Sequence, residues 1–230
     1  MSTPDTETDT PTPDENGEVP VWDPLVRIGH WVLVGGFLIA YLTEGEPEAV
    51  HVWAGYAVAL TVAIRVVWGF IGPRHALFAD FVRSPITAAR YLKDELTGSA
   101  RRFIGHNPAG GLMAVALLVC LAGTAWTGMG LYAVEEGKGP LAGMVSQQQA
   151  GLELAVVSPA MADDDEHEYG AREDHGKSHG EGEEVWEEWH EVFANLTLAL
   201  MVLHILGVMV SSTTHKENLV QSMITGRKRA

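Results

Sequence analysis

Four apolar blocks constrain this 230-residue chain more than any other feature of its sequence. Each block approaches the length that an α-helix needs to cross the hydrocarbon core of a bilayer, about 20 residues. Apolar runs of this length are uncommon in a soluble domain of comparable size. The sequence therefore predicts four membrane-spanning helices, at residues 25–43, 52–71, 112–134 and 190–211.

The positive charges beside these blocks predict how the chain is oriented. Residues 72–111 contain six Lys and Arg residues and residues 216–229 contain four, whereas the turn at 44–50 contains none. Because Lys and Arg accumulate on the cytoplasmic side of a membrane, we expect both termini and the middle segment to face the cytoplasm. The predicted fold is an all-α integral membrane four-helix bundle with up-down-up-down topology.

The segments outside the spans have distinct compositions. Residues 1–21 are acidic and lack Lys and Arg, which predicts a disordered acidic tail rather than a signal peptide, ahead of a single membrane domain at residues 22–230. Residues 84–97 predict an amphipathic helix along the inner membrane surface, with Ser84 as N-cap and Pro85 in its first turn. Residues 135–188 form a long outer loop whose second half is acidic.

Four of the ten histidines lie within the spans or at their rims: His30, His51, His190 and His204. Ionisable side chains at membrane depth are costly and need partners. For a single histidine of this kind, a hydrogen bond between helices is the simplest role. The relative positions of all four histidines can be tested against helix geometry.

Helix periodicity and topology sort these histidines into two pairs. His190 and His204 are separated by about 3.9 helical turns, so they share one face of span four and lie about 21 Å apart along it. His30 lies near the inner start of span one, and His51 lies at the outer start of span two. We therefore expect His30 to face His204 near the inner surface and His51 to face His190 near the outer surface.

Two imidazoles at one depth on facing helices can ligate a haem iron from both sides. The only cysteine is Cys120, so the chain has no C-x-x-C-H motif for covalent attachment, and any haem must be bound non-covalently. Zinc competes for such residues but generally needs three or four ligands, and only Glu188 or Glu191 offers a further one, near His190. The pattern predicts two b-type haems, with flat space beside four glycines: Gly35, Gly36, Gly55 and Gly207.

Other polar residues near the inner side have two open interpretations each. His106, in the sequence GHNPAGG, is either a turn residue or a contact to a haem propionate or a quinone. Arg27 and Arg65 either extend towards the lipid headgroups or pair with a propionate of the inner haem. His75 and His215 lie in basic segments and are interpreted as surface residues.

Three further histidines, His167, His175 and His179, lie in the acidic part of the outer loop. Together with nearby carboxylates they offer ligands for Zn²⁺, Cu²⁺ or Ni²⁺. The same composition also suits a solvated loop, a surface that attracts a basic partner, or adaptation to a salty habitat.

Several stretches together resemble one known family, the four-helix prokaryotic cytochrome b561 and nickel–iron hydrogenase b-type cytochrome group. The resemblance covers most of residues 20–230 and includes the histidine pair of span four. The matching stretches are VWDPLVRIGHW (21–31), HVWAGY (51–56), RVVWGFIGP (65–73), RFIGHNPAGG (102–111) and HKENLVQSMITGRKR (215–229). The resemblance implies a haem on each side of the membrane, with iron ligated by His30, His51, His190 and His204.

The resemblance further implies a protein of the cytoplasmic (inner) membrane of a prokaryote that acts as the electron-transfer component of an oxidoreductase system. Its expected partners are membrane lipid, quinone, and a c-type cytochrome, hydrogenase or other outer redox protein; no catalytic residue and no nucleic-acid partner are expected. One alternative is a membrane protein that binds or transports metal ions through its histidines. Another is an anchor for a partner complex with no redox role.

Overall fold

The computed structural model describes residues 13–15, 17–44, 47–144 and 181–230. More than half of these residues belong to four long helices: α1 (Pro24–Leu42), α2 (Glu48–Ile71), α5 (Pro108–Glu136) and α6 (Glu181–Thr214). The shorter elements are a 3₁₀ turn (Arg74–Ala76), α3 (Phe78–Phe81), α4 (Pro85–Leu96), α7 (Leu219–Thr225), β1 (Glu18–Pro20) and β2 (Arg227–Arg229).

The four long helices are each long and apolar enough to cross a membrane. They carry many exposed apolar side chains, including Leu42 (80% exposed), Trp53 (73%) and Leu60 (63%), as expected of surfaces that lipid covers. The prediction of an all-α bundle with four spans is confirmed. The helices run alternately up and down, and α1 packs against α2, α2 against α5 and α5 against α6.

Three of the four helices extend well beyond the predicted apolar spans. The helices begin at residues 48, 108 and 181 where the spans were expected to begin at 52, 112 and 190. Helical hydrogen bonding continues past the apolar window in all three, and a polar side chain caps α5. Asn107, for example, caps α5 by accepting a hydrogen bond from the Gly110 amide at 2.6 Å, which satisfies one of the free N–H groups of the first turn.

The core of the bundle lies midway along the helices. Phe37 of α1, Val58 and Val62 of α2, and Leu121 of α5 form a buried cluster there. Partly buried side chains of α1, α5 and α6 pack against this cluster: Leu33, Tyr41, Leu118, Leu198 and Met201.

Two glycines allow α5 and α6 to approach closely. A Cβ at Gly123 would lie 2.6 Å from the Phe193 ring, and one at Gly130 would lie 2.4 Å from the Trp186 ring. Small residues at helix contacts are the usual means of close packing in membranes, where apolar lipid removes the hydrophobic driving force. This contact fixes the helix that carries both His190 and His204.

The two ends of the bundle differ, and we call the end that carries both chain termini the terminal end and the other the loop end. At the terminal end β1 pairs antiparallel with β2, so that Val19 lies opposite Lys228. We call this two-stranded sheet the terminal clasp. Val19, Val21 and Trp22 are buried beneath it.

The terminal clasp corrects the prediction of a disordered tail through residue 21. Residues 1–12 and 16 lie outside the described residues, but Glu18–Pro20 form a strand because the C-terminal segment returns to pair with them. Gly226, with φ of 84°, makes the turn into β2, and its carbonyl accepts hydrogen bonds from the Val21 and Trp22 amides.

The amphipathic helix predicted at residues 84–97 is present as α4. Ser84 caps it, with its hydroxyl accepting a hydrogen bond from the Thr87 amide at 3.3 Å. The buried face of α4 carries Ala88, Tyr91 and Glu95 and packs against α5 at the terminal end.

Candidate functional site

A histidine pair lies between α2 and α6 near the loop end. The ring centres of His51 and His190 are 6.0 Å apart, and their planes are inclined by 75°. His51 Nδ1 lies 2.8 Å from the carbonyl oxygen of Ala40 on α1. Since a carbonyl only accepts, this nitrogen carries the proton, and Nε2 is left with a free lone pair.

His190 is held in the same protonation form from α5. Its Nδ1 lies 3.0 Å from the carbonyl oxygen of Thr124 and 3.2 Å from the hydroxyl of Thr127. A hydrogen bond from the second ring nitrogen to a carbonyl is the usual support of a metal-ligating histidine, because it fixes the tautomer and the ring orientation. Both rings of this pair therefore have Nε2 available for a metal.

Sequence reasoning missed these supporting groups. Thr124 and Thr127 are polar residues one turn apart in an otherwise apolar span, which is a detectable signal. The carbonyl of Ala40 has no sequence signal, because any residue at that position supplies it.

A second histidine pair lies between α1 and α6 near the terminal end. The ring centres of His30 and His204 are 6.5 Å apart, with planes inclined by 57°. His30 also meets the edge of the Trp31 ring at 5.2 Å. His30 Nδ1 is buried and has no hydrogen-bond partner within the described part of the chain.

The separations within both pairs suit a single metal ion held between two rings. A metal–imidazole nitrogen bond is about 2 Å long, so two imidazoles on opposite sides of one iron have ring centres roughly 6 Å apart. The observed separations of 6.5 Å and 6.0 Å match this requirement. The structure thus brings together the same histidines that the depth argument pairs, with ring-centre separations that fit one metal ion between each pair.

The two pairs occupy separate levels of the bundle. His190 and His204 lie on one face of α6, about 21 Å apart along its axis. The apolar layer of Phe37, Val58 and Leu121 lies between these levels. The two histidine pairs therefore lie in series along the bundle, divided by close-packed apolar side chains.

The glycines predicted to leave flat space behave in two ways. An added Cβ at Gly35, Gly55 or Gly207 would meet nothing within 4 Å, so these positions leave room beside the helices. Gly36 is different, since a Cβ there would lie 2.9 Å from a methyl group of Val58. The interpretation of Gly36 as haem space is wrong, because this glycine serves the contact between α1 and α2.

His106 lies at the terminal end, in the interior of the protein. Its ring is 4.6 Å from the Trp22 ring and 4.4 Å from the Phe81 ring, measured between centres. Burial, together with the positive charges of Arg65 and Lys228, lowers the pKa of His106 to about 3. His106 Nδ1 has no hydrogen-bond partner among the described residues. His106 is partly buried in the segment just before α5, a position that fits both the turn interpretation and the contact interpretation.

Arg65 also points into this region. Its Nη2 donates a hydrogen bond to the Ala76 carbonyl at 3.1 Å, and its guanidinium lies 5.1 Å from the centre of the Phe78 ring. Its Nη1 is buried without a hydrogen-bond partner in the described ranges. This arrangement disfavours the extension of Arg65 to the headgroups and leaves one donor for an anion.

Arg27 connects α1 to the C-terminal segment. Its Nη2 donates a hydrogen bond to the carbonyl of Ile224 in α7. Its Nε, like Nη1 of Arg65, is buried and unpartnered within the described residues. Arg27 lies one helical turn before His30, so this donor is close to the terminal-end pair.

The interpretation of His75 and His215 as surface residues is wrong. The His75 side chain is 21% exposed, and its Nδ1 lies 3.1 Å from a carboxylate oxygen of Asp80. The His215 side chain is 12% exposed, with Nε2 at 3.3 Å from the Tyr91 hydroxyl and 3.7 Å from Glu95. Both histidines contact residues of the segment that connects α2 to α5. Sequence patterns within a single helix do not reveal such contacts.

The predicted alternative of a metal-ion site gains no support from the part of the chain that the structure describes. No group of three or more His, Cys, Asp or Glu side chains suited to a metal ion occurs there. The outer-loop histidines His167, His175 and His179 lie outside the described residues.

Comparison with known proteins adds a family and two relatives. The sequence profile of the prokaryotic cytochrome b561 family matches residues 21–226. A probable Ni/Fe-hydrogenase B-type cytochrome subunit of Rhizobium leguminosarum bv. viciae is 28% identical over 123 residues, which cover 41% of this chain and 51% of the relative. A probable subunit of the same name from Rhodobacter capsulatus is 27% identical over 150 residues, which cover 52% of this chain and 56% of the relative.

The chain thus spans about half the length of the curated relatives that it matches. No solved structure matches it.

Proposed function

The chain belongs to the prokaryotic cytochrome b561 family, and from this premise we propose that it holds two b-type haems non-covalently and carries electrons across the membrane between them. It is a prokaryotic membrane protein and a haem-binding component of electron transport, as its family and its four apolar helices indicate. When bound, a b-type haem supplies a one-electron carrier whose potential is set by its axial ligands and its burial.

One observation carries the proposal of two haems. The chain has two histidine pairs with ring-centre separations of 6.5 Å and 6.0 Å, and one member of each pair stands on the same face of α6. His30 and His204 would ligate one iron, and His51 and His190 the other. Arg27, Arg65 and His106 would line the site at the terminal end.

The protein orients the histidine rings and excludes water from the middle of the bundle. The Nδ1 hydrogen bonds of His51 to Ala40 and of His190 to Thr124 keep both Nε2 atoms unprotonated and fix the ring directions. The apolar layer between the levels, including Phe37 and Leu121, keeps water from the middle of the bundle. Low polarity around a redox site is one of the means by which a protein sets its potential.

We propose that the terminal end faces the cytoplasm. Residues 72–111 and 216–229 meet at this end and carry six and four Lys and Arg residues, which favours the cytoplasmic side. The level of His51 and His190 then lies towards the outer surface, and the level of His30 and His204 towards the cytoplasm.

The proposed electron partners are quinone in the membrane and a redox protein on the outer side. The two relatives are probable hydrogenase subunits by name, which supports a hydrogenase as that outer partner. A c-type cytochrome suits the same position. The long acidic segment at residues 135–188 is the feature of this chain that favours an outer partner with a basic surface.

Reconstitution into sealed vesicles tests the proposal. Vesicles that contain the protein and trapped ferricyanide are given a membrane-impermeant reductant outside, and reduction of the trapped ferricyanide is followed. We expect reduction to depend on the protein and to be lost in His51→Ala and His30→Ala, with His75→Ala as the matched control. Equal rates in all three variants would contradict transfer through the two sites.

A further inference from the structure

Lys228 is a buried cation with no counter-ion in the described structure. It is the middle residue of β2 and is 6% exposed, whereas Arg227 and Arg229 on either side are exposed. Its ammonium lies 5.7 Å from the centre of the Trp22 ring. The terminal clasp therefore turns one of its three basic side chains inwards.

Burying an ammonium is costly unless an anion compensates it. No carboxylate of the described residues forms an ion pair with Lys228. Glu217 raises the pKa of Lys228 less than burial lowers it, and Glu217 is already paired with Arg102 at 2.9 Å. An anion that the chain itself does not provide is the expected partner.

Lys228 adjoins a row of aromatic rings at the terminal end. Its ammonium lies over Trp22, the Trp22 ring meets His106 edge-on at 4.6 Å, and His106 meets Phe81 at 4.4 Å. Trp22 and Arg27 meet at Gly226, where an added Cβ would lie 2.8 Å from the Trp22 carbonyl oxygen and 2.9 Å from Arg27 Nη1. Because Arg27 lies one helical turn before His30, Lys228 lies at the same end of the bundle as the pair formed by His30 and His204.

The same region holds three other donors without acceptors among the described residues: Trp22 Nε1, Arg27 Nε and Arg65 Nη1. Buried donors in native proteins are nearly always paired. A carboxylate or phosphate is the acceptor that a buried ammonium and unpaired guanidinium donors at one end of the bundle would take.

We propose that Lys228, presented by the terminal clasp, is an electrostatic partner for a propionate carboxylate of the haem that His30 and His204 hold. This inference rests on the proposed function and names a positioning residue that lies 24 positions after His204, beyond the four spans. The inference also gives a role to the pairing of β1 with β2, because this pairing holds Lys228 against Trp22.

The proposal has a definite electrochemical consequence. A positive charge near the haem opposes the additional positive charge of the oxidised iron, so it raises the reduction potential. Removal of the charge at Lys228 lowers the potential of the terminal-end haem and leaves that of the loop-end haem unchanged.

The test is a redox titration of purified protein in the His51→Ala background, where only the terminal-end haem remains. Lys228→Met and Lys228→Gln are compared with Lys228→Arg, which keeps the charge. Arg229→Gln removes an exposed charge from the same strand and serves as the matched control. Haem content per chain is measured for each variant.

We expect both neutral variants to shift the midpoint potential downwards, and Lys228→Arg and Arg229→Gln to keep it near the parent value. An unchanged potential in the neutral variants at full haem content would overturn this inference and leave the proposed function standing. An equal shift in Arg229→Gln would also overturn it, because loss of any charge from this strand would then explain the effect. A parent protein without haem would overturn the proposed function as well.

A free anion is the other possible partner of the Lys228 ammonium. Redox titrations of delipidated protein with and without inorganic phosphate distinguish a free anion from the haem propionate. A shift in the neutral variants that is independent of phosphate supports the propionate. A shift that appears only when phosphate is present would assign the site to a free anion and overturn the inference.

Discussion

His51 donates a hydrogen bond from Nδ1 to the carbonyl oxygen of Ala40, 2.8 Å away on the neighbouring helix. This contact joins the end of α1 to the start of α2 and decides which ring nitrogen of His51 is free. With Nδ1 engaged, Nε2 is the ring nitrogen left free, and the ring centres of His51 and His190 are 6.0 Å apart. The hydrogen bond to the Ala40 carbonyl thus leaves Nε2 of His51 available to bind a metal.

Replacement of either member of this pair is expected to remove one haem of two. His51→Ala and His190→Ala each remove one of the two side chains that would ligate the loop-end iron, while the other pair lies about 21 Å away along α6. Haem per chain, measured as the pyridine haemochrome, falls by half. His75→Ala, in a residue bound to Asp80, should keep both haems.

The complementary result is expected at the terminal end. His30→Ala and His204→Ala should each remove the terminal-end haem and leave the loop-end haem, so the two variants should have the same reduced-minus-oxidised spectrum and midpoint potential. This spectrum and this potential should differ from those of the haem that remains in His51→Ala. If His30→Ala and His51→Ala keep the same haem, the assignment of the pairs is wrong.

The apolar layer between the two levels is expected to dominate stability. Leu121 is 7% exposed in this layer, and replacing a buried Leu with Ala costs about 2–5 kcal/mol through lost packing and the cavity that remains. Leu121→Ala should lower the melting temperature in detergent. Leu60→Ala, at a position that is 63% exposed, makes the same chemical change and should have little effect.

Tyr91 is expected to give a stability change at alkaline pH. Burial, with the charge of Glu95 adding to it, raises the pKa of Tyr91 to about 12, whereas an unfolded tyrosine titrates near pH 10. Folding therefore favours the neutral phenol, so this contribution is complete below about pH 10 and is lost as the pH rises towards 12.

The measurement is the difference in melting temperature between the wild type and Tyr91→Phe from pH 9 to pH 12. Phenylalanine has no proton to lose, so the wild type should fall relative to the variant over this range. A constant difference would contradict the raised pKa.

The sequence predicts the bundle and the histidine pairs for simple geometric reasons. Helix rise and periodicity fix the relative depth and face of His190 and His204, and topology then assigns His30 and His51 to the same two depths. These arguments need only the helix ends to within a few residues. Differences such as the start of α2 at Glu48 rather than residue 52 do not disturb the pairing.

The supporting contacts depend on residues far apart in the chain and were not predictable in this way. Glu18 pairs with Arg229 across almost the whole sequence, and strands of three residues are too short for a hydrophobic period to detect. His215 meets Glu95 and Tyr91 on another helix. The burial of Lys228 follows from the terminal clasp and could not be expected from a basic C-terminal run.

The haem content of the purified wild-type chain tests the central claim most directly. The protein is expressed with an adequate haem supply and purified in detergent, and haem is quantified as the pyridine haemochrome against protein concentration. Two histidine pairs with the geometry of bis-histidine sites predict two b-type haems per chain. A value of one would mean that one pair has only a structural role, and a haem-free chain would contradict the account.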